Sequence, residues 1–292
     1  MKKTKMPVAA RENLEFQIQR VVEKSVLAEC RDFLAVEEPL EIRLGIFENG
    51  RARHQSVSVT MRTPGNDEEL AVGFLFTEGI ISAPEDVASV INCGANKRTN
   101  LPSNTVRVNL GKDARVDLKK LERNFYTTSS CGVCGKASLE ILAAEVREIE
   151  RKDFPQISTD VIHSLPEKLF QSQTVFAATG GLHAAALFDA EGELVCLRED
   201  VGRHNAVDKL IGRQFLDGKL PLEDKILMLS GRASFELAQK ALMARIPIMA
   251  AVGAPSSLAV AAAREFGMTL CGFVRDNRFN IYSGAKRILT GV

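Results

Sequence analysis

Hydrophobic and polar positions alternate through the first third of the chain. Leu14, Phe16 and Ile18 form one run. Ile42, Leu44 and Ile46 form a second, Val57, Val59 and Met61 a third, and Val106, Val108 and Leu110 a fourth. This period of two is the mark of half-buried strands. Asn49-Gly50, between the second and third runs, predicts a hairpin turn. Pro64-Gly65-Asn66-Asp67 predicts another turn, with Asp67 placed to cap a helix from Glu68 to about Glu78. Together these elements predict a small α+β domain on an antiparallel sheet over residues 1–125.

From residue 126 the pattern changes. Leu139, Leu142, Val146 and Ile149 fall on one helix face. Residues 174–178 read as a buried strand ending in Thr179-Gly180-Gly181. Residues 184–188 and 194–197 flank Asp189-Ala190-Glu191-Gly192, a hairpin turn. Strand and helix then alternate: a strand over 225–229, a helix over 235–245, a strand over 247–252, a helix over 257–266 and a final strand over 269–274. Such alternation predicts a partly parallel sheet with helices on its faces, an α/β domain over 126–292.

Composition narrows the function classes. The chain has 292 residues, 45% of them hydrophobic, which suits two domains better than one. Lys plus Arg number 38 against 37 Asp plus Glu, a net charge of +1. That balance gives no general electrostatic case for a nucleic acid or a membrane surface. No apolar run approaches the roughly 20 residues of a membrane-spanning helix. The basic start, Met1-Lys2-Lys3-Thr4-Lys5-Met6, is not followed by an apolar stretch, because Arg11, Glu12 and Asn13 interrupt it. No secretory signal is predicted, and a cytoplasmic location is expected.

Candidate chemistry centres on Cys131-Gly132-Val133-Cys134-Gly135. Of six cysteines, Cys30, Cys93, Cys196 and Cys271 stand alone and read as small buried hydrophobes. Two thiols three positions apart can hold a metal, cycle through a disulfide or carry sulfur as a persulfide. A helix predicted to begin near Lys136 would put Cys134 at a helix N-terminus, where exposed amides favour a thiolate. Half a zinc site is one reading, but a closed site needs four ligands. No second cysteine pair exists, and His54, His163, His183 and His204 are scattered. A dithiol oxidoreductase is another reading, weakened by the motif's mid-chain place in a polar loop.

Five further segments carry polar groups at predicted strand ends. Arg198 to Asn205 joins a strand to a helix, where sites often form in α/β sheets. Ser230-Gly231-Arg232-Ala233-Ser234-Phe235-Glu236 opens the next helix with amides and an arginine suited to an anion. Gly253-Ala254-Pro255-Ser256-Ser257 repeats that arrangement, and Thr179 to His183 adds another small-residue loop. One crevice along a sheet edge is predicted. Phe273-Val274-Arg275-Asp276-Asn277-Arg278 closes the set, with arginines and an aromatic suited to a phosphate-bearing ring ligand.

Several blocks jointly resemble the FdhD family of sulfur carrier proteins required for formate dehydrogenase activity. They are residues 61–75 (Met61-Arg62-Thr63-Pro64-Gly65-Asn66-Asp67 onward), Ser130 to Gly135, Glu199 to Lys209, Ser230 to Glu236 and the final strand. The resemblance implies a persulfide-carrying sulfurtransferase. It would take sulfur from a cysteine desulfurase and pass it to the molybdenum or tungsten bis-molybdopterin guanine dinucleotide cofactor of formate dehydrogenase. It implies Cys131 as the persulfide-bearing residue, with Cys134 assisting or tuning it, and Phe273, Val274, Arg275, Asp276, Asn277 and Arg278 as the cofactor-binding stretch. It implies no protein-ligated metal, and it implies a homodimer. It also implies a cytidine deaminase-like three-layer domain with a mixed sheet beside the smaller N-terminal domain. Deaminase activity itself is not expected. Zinc deaminases need a glutamate two positions after a Cys or His, whereas Ala184 and Ala185 follow His183, and Gly94 and Ala95 follow Cys93. A cofactor-binding chaperone that moves no sulfur is the remaining alternative.

Overall fold

The structure, a computed structural model, describes residues 12–48, 51–93, 104–112, 114, 139–140, 142–144, 146–151 and 153–291. Its first half begins with a long hairpin, β1 (Asn13–Val22) and β2 (Ser25–Ala35). A four-stranded sheet follows. It comprises β3 (Glu38–Glu48), β4 (Arg51–Arg62), β5 (Val87–Asn92) and β6 (Thr105–Leu110), in the order β4-β3-β6-β5. The alternating residues Leu40, Ile42, Leu44, Val106 and Val108 are all buried on one face. The sheet is mixed, not antiparallel as the sequence predicted. The chain leaves β4 through a helix before pairing β6 alongside β3, and that crossover makes β3 and β6 parallel. The predicted Asn49-Gly50 turn lies outside the described residues, although Glu48 is paired with Arg51 across it.

The crossover helix is α1 (Asp67–Thr77). Asp67 is its first residue, not its cap. Asn66 precedes it in the left-handed region at φ 55°, and the Asp67 carboxylate accepts from Arg62 at 2.9 and 2.8 Å.

The second half is built on six strands in the order β13-β12-β11-β10-β8-β9. These are β8 (His183–Phe188), β9 (Leu194–Asp200), β10 (Ile226–Leu229), β11 (Ile248–Ala251), β12 (Thr269–Arg275) and β13 (Arg278–Ser283). β10, β11 and β12 run parallel, and the other pairings are antiparallel. Helix α2 (Thr159–Ser172) covers one face, where Ile162, Leu165 and Leu169 meet Ala186, Phe188, Met228 and Ile248. Helices α4 (Arg203–Leu216), α5 (Phe235–Met243) and α6 (Ser257–Glu265) cover the other. The core on that side runs without a break from Leu187, Leu227 and Met249, through Leu210 and Leu237, to Leu70, Leu75, Leu44 and Val108. A short parallel pair, β7 (Ile157–Ser158) with β14 (Ile288–Leu289), closes the end of the chain onto α2.

Two segments differ from expectation. Residues 174–178 form no strand but a short helix, α3 (Thr174–Thr179). The amides of Val175 and Phe176 donate to the Glu199 carboxylate at 3.0 and 2.8 Å, which fixes the helix start from 23 residues away. The predicted helix from Leu139 is helical at 139–140 and 142–143 but leaves that path before Val146. Leu142, Val146 and Ile149 still enter the core, and the Ile149 amide donates to the Phe266 carbonyl at 2.9 Å.

The halves meet at a close crossing of α1 and α4. A Cβ at Gly73 would overlap the Asp208 carbonyl oxygen and lie 2.7 Å from its carbon. A Cβ at Gly212 would overlap the Glu69 carbonyl oxygen and lie 2.8 Å from the Gly73 nitrogen. Two facing glycines thus let the backbones touch. Thr77 and Asp208, from the two helices, share a buried hydrogen bond of 2.8 Å. Lys240 of α5 reaches both, at 2.9 Å to Thr77 Oγ1 and 2.9 Å to Asp208 Oδ1. Burial disfavours the Lys240 charge, but the Asp208 and Glu78 carboxylates beside it outweigh that and raise its pKa.

Candidate functional site

The parallel strands β10, β11 and β12 end at one edge of the sheet, and the loops that follow them are stitched together there. The Gly253 amide donates to the Gly231 carbonyl at 3.0 Å, the Phe273 amide to the Gly253 carbonyl at 3.0 Å, and the Ala233 amide to the Ala254 carbonyl at 3.2 Å. Gly253 is required for this approach, because a Cβ there would lie 3.0 Å from the Gly231 oxygen and 3.1 Å from Arg232 Cγ. The loop before β8 arrives at the same edge because β8 runs antiparallel to β10. The Ala184 amide donates to Ser230 Oγ at 2.8 Å. The predicted small-residue loops are therefore brought together, the Thr179–His183 segment by a strand's beginning and not its end.

The 273–278 stretch forms the far end of this edge. Its pairing with β13 is irregular between Gly272 and Arg275. Phe273, Asp276 and Asn277 all have positive φ, at 55°, 53° and 53°. For an aromatic residue that is an unfavourable backbone state, of the kind held only where surrounding structure enforces it and common at ligand sites. Val274 is buried, and the Arg275 guanidinium lies 5.9 Å from the Phe273 ring centroid. Arg275 and Arg278 both project from the exposed hairpin end. The arrangement offers two cations and an aromatic face beside the stitched loop ends, which suits a ring-bearing polyanion.

Histidines and Arg203 stand at the near end. His183 starts β8 at this edge. Burial, with the Arg203 charge next in importance, pulls its pKa down. His204, in the first turn of α4, is pulled down to about 4 by burial, with the Lys240 and Arg203 charges adding. Its Nε2 is buried without a hydrogen-bond partner, as is Arg203 Nε, and the Glu236 carboxylate stands 3.9 Å from that Nε2. At physiological pH both imidazoles are neutral, and the positive charge of this wall is carried by Arg203.

Beneath this wall lies a polar network that joins the end of β4 to the β9–α4 junction. Asp200 is fully buried and pairs with Lys209 at 2.7 Å. It also accepts from the Gly202 amide at 2.8 Å, Asn205 Nδ2 at 3.0 Å and the Thr63 amide at 3.2 Å. Lys209 donates to the Thr63 carbonyl at 2.8 Å, and the Val201 amide donates to Thr63 Oγ1 at 3.1 Å. Nearby, Glu69 holds Arg198, with Nη2 at 2.8 Å. Residues 61–75 and 199–209, far apart in sequence, thus form one fixture that orients Arg203 and His204. Sequence reasoning singled out both segments but not their pairing. The charged run at 198–205 is no solvated loop, since Asp200 and Asn205 are buried, as is Lys209 just beyond it. Charged residues inside the apolar pattern of 205–212 were the available signal.

Cys131 and Cys134 lie outside the described residues. Among the described residues no helix is long and apolar enough to cross a membrane.

The chain matches the model of the FdhD/NarQ family over residues 35–289. A Streptomyces coelicolor protein called sulfur carrier protein FdhD is 51% identical over 259 residues, 88% of this chain and 89% of the relative. Proteins of the same name from Mycolicibacterium paratuberculosis and Sulfurisphaera tokodaii are 53% and 48% identical over 261 residues. These alignments cover 87% and 88% of this chain and 91% and 92% of the relatives. A crystal structure described as a formate dehydrogenase accessory protein, from Desulfotalea psychrophila, superposes with a TM-score of 0.70 at 25% identity. It covers 96% of this chain and 100% of that one.

Proposed function

The chain belongs to the FdhD/NarQ family, and from that premise we propose that it is a sulfur carrier serving formate dehydrogenase. The observation that carries the reading is its identity of about half to relatives named for that role, across nearly the whole chain. The Cys131 thiolate attacks the outer sulfur of a cysteine desulfurase persulfide. A new S–S bond forms on Cys131, and the donor cysteine leaves as thiolate. The Cys134 thiolate then attacks the inner sulfur, Cys131 Sγ, releasing hydrosulfide toward the acceptor and leaving a Cys131–Cys134 disulfide. A cellular dithiol resets that disulfide. The acceptor substrate is the molybdenum or tungsten bis-molybdopterin guanine dinucleotide. Arg275 and Arg278 hold its phosphates, and Phe273 to Asn277 form the backbone cradle. The strained, arginine-flanked hairpin end supports that assignment.

The strand sequence β9-β8-β10-β11-β12, a hairpin followed by parallel strands between helical layers, supports the cytidine deaminase-like reading of the larger domain. The division near residue 125 and the homodimer remain part of the proposal. Intact mass after incubation with a cysteine desulfurase and cysteine tests the sulfur step. Wild type is expected to gain one reductant-labile sulfur atom and Cys131→Ala none. No gain in wild type, with the desulfurase active in the same tube, would refute the carrier in favour of a cofactor chaperone.

A further inference from the structure

The β1–β2 hairpin is a two-stranded sheet of its own, and among the described residues β1 pairs with β2 alone. Isolated two-stranded sheets are marginal in water, and an unpaired edge is a template for another strand. β2 rests on α3, whereas the outer edge of β1 carries no strand among the described residues. β1 is regular throughout. At the irregularity, β2 takes three steps from Cys30 to Leu27 while β1 takes two from Ile18 to Arg20. Its even-numbered residues therefore share one face. Glu12 continues that face, since its carbonyl accepts from the Val36 amide at 2.9 Å. Leu14 and Phe16 are 40% and 45% exposed, and Leu34, opposite Leu14, is 46% exposed. An apolar strip is left facing solvent.

The order of side chains on that face is Glu12, Leu14, Phe16, Ile18, Arg20. It is charge-complementary to its own reverse about Phe16. We propose that β1 pairs antiparallel with β1 of a second copy of this chain, about a two-fold axis at Phe16, making one four-stranded sheet across the dimer. Phe16 then faces Phe16 of the second copy, Leu14 faces Ile18, and each Glu12 faces an Arg20. The other face sets Asn13 against Gln19 and Glu15 against Gln17, so no like charges oppose. Moving the axis to Gln17 sets Arg20 against Leu14, and moving it to Glu15 sets Glu12 against Ile18. Only the Phe16 axis pairs the charges. A two-fold contact of this kind is self-complementary, as closed dimers require. The inference rests on the homodimer reading above and gives that dimer its surface.

The test combines sedimentation velocity with site-specific cross-linking of the full chain. Wild type is expected at about twice the 31.9 kDa of one chain. Directly opposed strand residues lie within disulfide reach, about 4.5–5.5 Å between Cα atoms. Phe16→Cys should therefore form a reducible covalent dimer on mild oxidation, beyond the wild-type background. Gln17→Cys, which faces Glu15, should do so far less. Glu12→Arg or Arg20→Glu alone should raise the dimer dissociation constant about tenfold, because the pair occurs twice by symmetry. The double variant should restore it, which a folding defect could not do. A wild-type dimer with no Phe16→Cys cross-link and no charge-reversal effect would overturn this placement and spare the dimer reading. A wild type that stays monomeric at all concentrations would overturn both, while persulfide loading in the same sample would leave the carrier reading standing.

Discussion

Gly73→Ala probes the joint on which the two halves depend. In an ordinary helix this change is favourable by about 1 kcal/mol, because alanine gives up less backbone entropy. Here the new methyl group would overlap the Asp208 carbonyl oxygen and lie 2.9 Å from the Gly212 nitrogen. All of these obstacles are backbone atoms of α4, so no rotamer change relieves them. The helices must part by about 1 Å, and a gap of that size forfeits roughly a quarter to a half of each dispersion contact it opens. Leu70, Ala71, Leu210, Ile211 and the Phe76–Phe215 ring pair all lie along this core. Overpacking of this kind costs about 1–3 kcal/mol, more where nothing yields. With unyielding backbone on both sides the cost lies at the upper end of that range, and against the propensity gain a net loss of about 2 kcal/mol is expected. Urea unfolding of wild type and variant, followed by far-UV circular dichroism, reads it as a lower midpoint at unchanged slope. Gly212→Ala should behave alike, and the double variant should lose less than the two losses added, since both open the same gap. A neutral or more stable Gly73→Ala protein would refute the close crossing.

Other expectations follow from the buried charges and the sheet edge. Lys240→Met leaves Asp208 without its cation and should cost about 3–5 kcal/mol in the same urea assay, and adding Asp208→Asn should recover part of it. His204 should stay neutral on acidification until about pH 4, read from its ring proton shifts by NMR. The unfolded chain takes up that proton near pH 6.5, so between those values the unfolded state binds more protons and stability falls as pH falls. His204→Gln should remove that part of the slope, and an unchanged slope would sink the assignment. Arg275→Ala with Arg278→Ala should weaken guanine nucleotide binding by at least about tenfold, measured calorimetrically, while persulfide loading survives. Unaltered affinity would remove these arginines from the cofactor site.

Much of the fold is legible in the sequence wherever burial imposes a local period. β3 and β6 announce themselves through alternation of buried residues, whereas β4 is a strand whose alternating Val59 and Met61 are exposed. β10, α5, β11, α6 and β12 fall within a residue or two of the predicted bounds. What stayed hidden is decided by distant partners. α3 is one turn and a half of Thr, Val, Phe and Ala, too short to show a helical period, and its start is held by Glu199. The parallel β3–β6 pairing follows from a crossover that alternation does not encode. For the site, the glycine loops and the arginine-aromatic stretch were readable as types, but their convergence needed the strand order. The Asp200–Lys209–Thr63 network was unreadable because each member has a bland surface alternative when seen alone.

The joint between α1 and α4 also sets a timetable. Thr77 finds its buried partner Lys240 163 residues further along the chain. At about 5–20 residues per second, synthesis takes roughly 8–33 s to cover that distance. For that interval the nascent first half carries α1 with Leu70, Leu75 and Phe76 uncovered, since their shared core is completed by α4 and α5. Ribosome-bound chains halted before Arg203 should therefore be cut readily by protease within α1, and chains extended past Met243 should be protected there. The first half is thus a dependant of the second.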